Sequence, residues 1–181
     1  MSNIAKLAEL IGSGTPPDAL DSISVIDRNK HLPASFSQQR LWFIDQLESG
    51  SAQYNQPLFL RLEGCIKIHA LQKALDSVVE RHEVLRTRFI TESGEPHLQI
   101  DPTSCVPVKI FDISSISQKE KLVEEGKIIQ EEIGIPFNLQ DGLKLRTTLI
   151  IKSEIESILA ITLHHIASDG WSFSLLIEEI S

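Results

Sequence analysis

Cysteine is scarce in this chain. Cys65 and Cys105 are the only two in 181 residues, and they share no metal-type spacing, which leaves no cysteine-based zinc site. Excess positive charge is also missing. With 17 basic against 25 acidic residues the net charge is −8, and no basic stripe is visible. Phosphate backbones need clustered Lys and Arg, so a nucleic-acid partner is not expected. Long apolar runs are absent too. The longest, Ile158 to Leu163, is broken at Thr162 and is far too short to span a bilayer. The N-terminus lacks the basic start and apolar stretch of a secretory signal, and no internal repeat is visible. These absences point to a cytoplasmic protein in a reducing compartment, without membrane contact and with both thiols buried.

What is present is an ordinary globular composition, 41% hydrophobic and 23% charged, with room for one core. Residues 1–31 read as a leader or linker, with a docking element as the alternative: Ile4, Leu7, Ala8 and Ile11 suit one short helix, broken by the Gly12–Pro17 stretch. The folded part is expected over 32–181. Ser37 is expected to cap a helix to about Leu47, with Leu41, Ile44 and Leu47 inward and with Trp42 and Phe43 in the core. Leu58, Leu60 and Leu62 alternate as in a strand. Ala70, Leu71, Ala74, Leu75, Val78 and Val79 give the clearest helical face, over 68–83. Strands are predicted at 85–90, 97–100 and 106–111, the first two joined by a turn at Ser93-Gly94. A helix from Ser117 to about Ile133 would turn Leu122, Ile128 and Ile129 inward and end at Gly134 and Pro136. Strands at 143–152 and 155–163, joined by a turn at 152–154, and a last helix at 172–180 complete the pattern. Helices and strands intermix, so the class is α/β or α+β.

The informative stretch is Leu163-His164-His165-Ile166-Ala167-Ser168-Asp169-Gly170-Trp171-Ser172. It places two histidines at the exit of an apolar strand, followed by Asp-Gly at a strand-to-helix turn. Alternation sends His164 and His165 to opposite faces, so only one can enter a given cleft. Imidazole is the side chain suited to moving a proton near neutral pH. Gly170 removes steric bulk, and the helix behind it directs backbone N–H groups at the same spot. Zinc is not expected: adjacent strand histidines point apart, and no further cluster supplies the missing ligands.

The chain resembles the condensation domain of non-ribosomal peptide synthetases. Ser37-Gln38-Gln39-Arg40-Leu41-Trp42-Phe43-Ile44 is similar to the first motif of that family. Arg81-His82-Glu83-Val84-Leu85-Arg86-Thr87-Arg88-Phe89 is similar to the second, and 163–172 to the third, the HHxxxDG active-site motif. Pro136-Phe137-Asn138-Leu139 and residues 50–57 also read like the family. Leu163, Ala167 and Ile44 depart from the usual residues, each apolar for apolar.

The resemblance implies a chloramphenicol acetyltransferase-like lobe, with helices packed on a mixed, mostly antiparallel sheet. Family members are well over twice this long, with the site in a tunnel between two lobes, so the chain is expected to be a truncated N-terminal lobe, its last helix cut before a cap. The implied reaction is amide formation between an aminoacyl or peptidyl thioester donor and an aminoacyl acceptor. No cofactor would be bound directly. Phosphopantetheine arms of peptidyl carrier protein partners would deliver both substrates, within a synthetase that also holds an adenylation domain. His165 is expected to take the amine proton or hold the amine in line. His164 would be structural, and Gly170 would keep the acceptor path open. Asp169 would be a buried scaffold held by an arginine, from Arg81 or Arg86, with Arg40 as a weaker candidate and a partner in the missing lobe as the alternative. The charged residues of the second motif are expected to be structural. Histidines in the third motif, where a cyclisation domain has aspartates, and Trp171 directly after Gly170, unlike an epimerisation domain, imply coupling of an L-donor to an L-acceptor. Two rivals stand beside this reading: an inactive lobe that only binds a carrier protein, and an HX4D acyltransferase using His164 and Asp169.

Overall fold

The computed structural model describes residues 26–28, 30, 32–48, 50–102 and 105–181. The predicted leader helix lies outside the described residues. Secondary structure begins with the two-residue strand β1 (Leu32–Pro33) and helix α1 (Phe36–Leu47). Strand β2 (Asn55–Glu63) and helix α2 (Ile68–Arg81) follow, then a 3-10 turn at Glu83–Arg86. Strands β3 (Thr87–Glu92), β4 (Glu95–Ile100) and β5 (Val108–Asp112) precede helix α3 (Gln118–Gly134). Strands β6 (Leu145–Ser153) and β7 (Glu156–His164) lead to helix α4 (Ser172–Ile180).

The strands form two sheets rather than the single one expected. One has the order β1-β4-β3; the other is β2-β7-β6-β5. All pairings are antiparallel except β5 with β6, because α3 carries the chain across between those two strands as parallel neighbours require. β3 and β4 are joined at Ser93-Gly94, where φ is +53° and +86°. Two consecutive left-handed residues match the twist of the flanking strands.

The main core lies between β6–β7 and the helices on one face of the larger sheet. Leu75, Val78 and Val79 of α2 and Leu176 of α4 meet Leu149, Leu159, Ile161 and Leu163 there. On the other face, α3 places Ile128 against Ile113 and Ile150. A third cluster joins Leu41 and Trp42 of α1 to Phe89, Leu139 and Ile166. It fixes the segment just after β7 against the smaller sheet.

Several sequence expectations need correction. Ser35, not Ser37, caps α1: its hydroxyl accepts from the Gln38 N–H while Gln38 reaches back to the Ser35 N–H. Leu47, Phe43 and Leu122 point outward, 69%, 58% and 62% exposed, although Trp42 is buried as expected. Cys65 and Cys105 are exposed, not buried. Both sit in the connections that flank helix and strand, away from the faces that build the core. The turn between β6 and β7 falls at Glu154-Ile155.

Candidate active site

β7 is flanked by β2 and β6, so its backbone is bonded along both edges and its last residues are held on both sides. The His164 N–H donates to the Lys144 carbonyl at 3.1 Å, and the His165 N–H to the Tyr54 carbonyl at 2.9 Å. β7 thus ends between two clamped backbones, and the two histidines diverge there. His164 is 2% exposed, while His165 is exposed.

His164 lies between Phe137 and Tyr54, with ring centroids 5.8 and 6.2 Å away. Its Nδ1 accepts from the Ile166 N–H at 3.0 Å, so the ring proton sits on Nε2. Burial pushes its pKa down to about 4, helped by the Lys144 ammonium and by His165. It is a neutral, packed residue at every pH near neutrality. Lys144 itself has no exposed surface. Its Nζ donates to the Asp141 carbonyl, and burial lowers its pKa to about 8 against the opposing pull of Asp141 and Asp101.

The His165 ring borders a shallow open cavity of about 280 Å³, shared with Ser37, Gln38, Val84, Ser168 and Asp169. All three motif segments therefore converge on one depression. The ring is held by Nδ1, which lies 2.8 Å from the Ser168 carbonyl and 2.9 Å from the side-chain amide of Gln56. Gln56 also contacts the Ser168 hydroxyl at 2.9 Å.

Asp169 does not play the part the sequence suggested. It is exposed, and its carboxylate accepts from the Trp171 N–H, the Ser172 N–H and the Ser172 hydroxyl at 2.8–3.1 Å. Those bonds, the Ser172 ones foremost, hold its pKa below the usual carboxylate range. It ties down the first turn of α4, and among the described residues no arginine is bonded to it. Arg81 instead pairs with Glu179 at 3.3 Å, and Arg86 donates to the carbonyls of Val79, Glu80 and Asp101. Arg40 has no described bond to Asp169. The other charged residues of the second motif are also in structural contacts: His82 with Glu179 at 2.8 Å, Glu83 with Arg28 and Arg88 with Asp101. The HX4D pairing fails on the same geometry, since the His164 Nδ1 and the Asp169 carboxylate are each committed to a neighbouring backbone N–H.

Gly170 adopts no left-handed φ, and a Cβ built on it would meet nothing within 4 Å. Its backbone imposes no need for glycine, so any need is for space on its outer side. Beside it, Trp171 is 87% exposed. Among the described residues no group of three His, Cys, Asp or Glu side chains is disposed to hold a metal, and no helix is long and apolar enough to cross a membrane. Sequence reasoning missed Gln56. It lies inside the family-like stretch 50–57, but its approach to His165 depends on the β2–β7 register.

Residues 28–181 match the family described as "Condensation domain". The match begins a few residues before the boundary expected at 32. The chain is 40% identical over 159 residues to malpibaldin synthetase of Mortierella alpina, covering 86% of this chain and 3% of that protein. It is 37% identical over 160 residues to malpinin synthetase of the same organism, covering 88% and 2%. The chain thus spans a small fraction of these curated relatives. Its fold is shared with a starter condensation domain of rhizomide synthetase (TM-score 0.75, 22% identity, 83% of this chain and 38% of that one). It is shared equally with the first condensation domain of the calcium-dependent antibiotic synthetase (TM-score 0.74, 22% identity, 83% and 36%).

Proposed function

The chain belongs to the condensation-domain family, and from that premise we propose that it is the first lobe of a domain that forms amide bonds in a non-ribosomal peptide synthetase. The donor is an aminoacyl or peptidyl thioester and the acceptor is the amine of an aminoacyl thioester. Carrier protein domains of the same synthetase, charged by its adenylation domains, present both on phosphopantetheine arms. The amine attacks the donor carbonyl, the C–N bond forms, the C–S bond breaks, and the thiol leaves with a proton.

His165 carries the chemistry in this reading. The observation that supports it is the divergence of the two histidines: His164 is locked inside the lobe, and His165 is the imidazole exposed at the convergence of the three motifs. His165 accepts the proton released as the amine attacks, and it holds the amine in line. Orientation alone supplies a large share of such a rate, because two tethered reactants meet in one local geometry. Asp169 organises the start of α4, and Gly170 leaves room for the acceptor arm. The open cavity supplies one wall, so turnover needs the second lobe.

The test is His165→Ala in the intact synthetase module, with release of dipeptide as the readout. We expect a fall of about a hundredfold or more, the usual contribution of a positioned acid–base group. Wild-type turnover would overturn the assignment. Turnover by the 181-residue chain alone would overturn the need for a second lobe.

A further inference from the structure

We propose that Gln56 is a positioning residue that, together with the Ser168 carbonyl, keeps the proton of His165 on Nδ1. This rests on the reading of His165 as the proton acceptor. Gln56 is the second residue of β2 and faces Leu163 in the register with β7. Its side chain runs past the end of β7 to the turn that follows, 109 residues further along the sequence.

Five polar groups meet there. The His165 Nδ1 faces the Ser168 carbonyl at 2.8 Å and one end of the Gln56 amide at 2.9 Å. The other end of that amide is 2.9 Å from the Ser168 hydroxyl, which is also 3.1 Å from the His164 carbonyl. A carbonyl oxygen can only accept, so at 2.8 Å the Nδ1 must carry a hydrogen. Placing the amide nitrogen toward Nδ1 would then set one N–H against another. The reverse orientation of the amide satisfies every group. Its oxygen shares the Nδ1 hydrogen with the Ser168 carbonyl, its nitrogen donates to the Ser168 hydroxyl, and that hydroxyl donates to the His164 carbonyl. Amide oxygen and nitrogen are nearly the same size, and the bonding network decides between them.

The consequence lies on the other side of the ring. With the proton fixed on Nδ1, Nε2 keeps a free lone pair, and it is the nitrogen left to receive a proton from the amine. Gln56 also ties the Ser168 hydroxyl, which keeps the Ser168 carbonyl in place beneath the ring. Loss of the amide would free the ring to exchange tautomers and to rotate.

The experiment uses the intact condensation domain, both lobes present, with 15N-labelled histidine at alkaline pH where imidazoles are neutral. Long-range nitrogen–proton spectra read each tautomer directly. In the wild type we expect His165 with Nδ1 protonated. Gln56→Glu, which keeps an acceptor oxygen, should retain that state. Gln56→Leu should raise the Nε2–H population and lower kcat for dipeptide formation about tenfold, with KM little changed, the scale of one lost orienting hydrogen bond. His164 serves as the internal check on folding, because the Ile166 N–H fixes its Nε2–H form independently of Gln56. A wild-type His165 protonated on Nε2 would overturn the proposal. So would a folded Gln56→Leu variant with unchanged tautomer and kcat. Full dipeptide release by His165→Ala would instead overturn the role of His165, and would leave the tautomer measurement standing.

Discussion

The rings of His164 and Phe137 meet at 79°, with centroids 5.8 Å apart. This contact seals the imidazole inside the lobe and makes the protein acid-sensitive at one identifiable place. In the unfolded chain the ring takes up a proton near pH 6.5; folded, it resists until about pH 4. Between those values the unfolded chain binds more protons, so stability falls as pH falls. The difference corresponds to about 3 kcal/mol when complete. Urea melts of wild type and His164→Asn at pH 7 and pH 4.5 should show the wild type losing more stability on acidification than the variant.

Glu132 should be among the costliest polar residues to remove. It is 3% exposed, pairs with Arg146 at 2.7 Å and accepts from the Thr148 hydroxyl at 2.8 Å. Glu132→Ala would strip Arg146 of this carboxylate, leaving its guanidinium on backbone carbonyls and the Phe137 ring, and would take the acceptor from the Thr148 hydroxyl, at a cost of about 3 kcal/mol. Chemical denaturation measures it.

Asp169 separates two roles for one carboxylate. If its work is to accept N–H groups at the start of α4, Asp169→Asn should keep most of the thermal stability and most of the activity in the intact module, because the amide oxygen still accepts. Asp169→Ala should lower both. An Asn variant as damaged as Ala would point to a requirement for the charge.

Gly170 gives the opposite pattern. The lobe offers open space where a side chain would grow, so Gly170→Ala should leave stability unchanged or raise it by up to about 1 kcal/mol, as expected where the backbone suits any residue. Larger side chains should reduce use of the acceptor in the intact module while the melting temperature holds. Parallel loss of both would place the obstruction inside the lobe.

Gly94 is constrained by its backbone. Its φ of +86° closes the β3–β4 turn, and Gly94→Ala should cost about 1 kcal/mol through left-handed strain, read by thermal denaturation.

The parts of this fold that were legible in the sequence are those decided locally. The periodicity of α2, the Ser93-Gly94 turn and the span of α4 depend on near neighbours. So does the divergence of His164 and His165, which follows from strand alternation. The cap of α1 was misplaced at Ser37, although a local signal favoured Ser35: Gln38 stands three residues on and forms a capping box, whereas Ser37 is followed at that spacing by Arg40. What stayed hidden depended on pairing. The separation into two sheets, the parallel β5–β6 contact and the approach of Gln56 to His165 all follow from register between distant strands. The exposure of Asp169 was missed for a different reason: a carboxylate at a strand-to-helix turn was expected to be buried, yet it lies at the exposed first turn of a helix, whose donors bind it.

The separation of 109 positions between Gln56 and His165 bears on protein engineering. A recombinant synthetase spliced anywhere between those positions takes its imidazole from one parent and the partner amide from the other. Crossovers placed before Gln56 or after Ser172 would transfer the set intact.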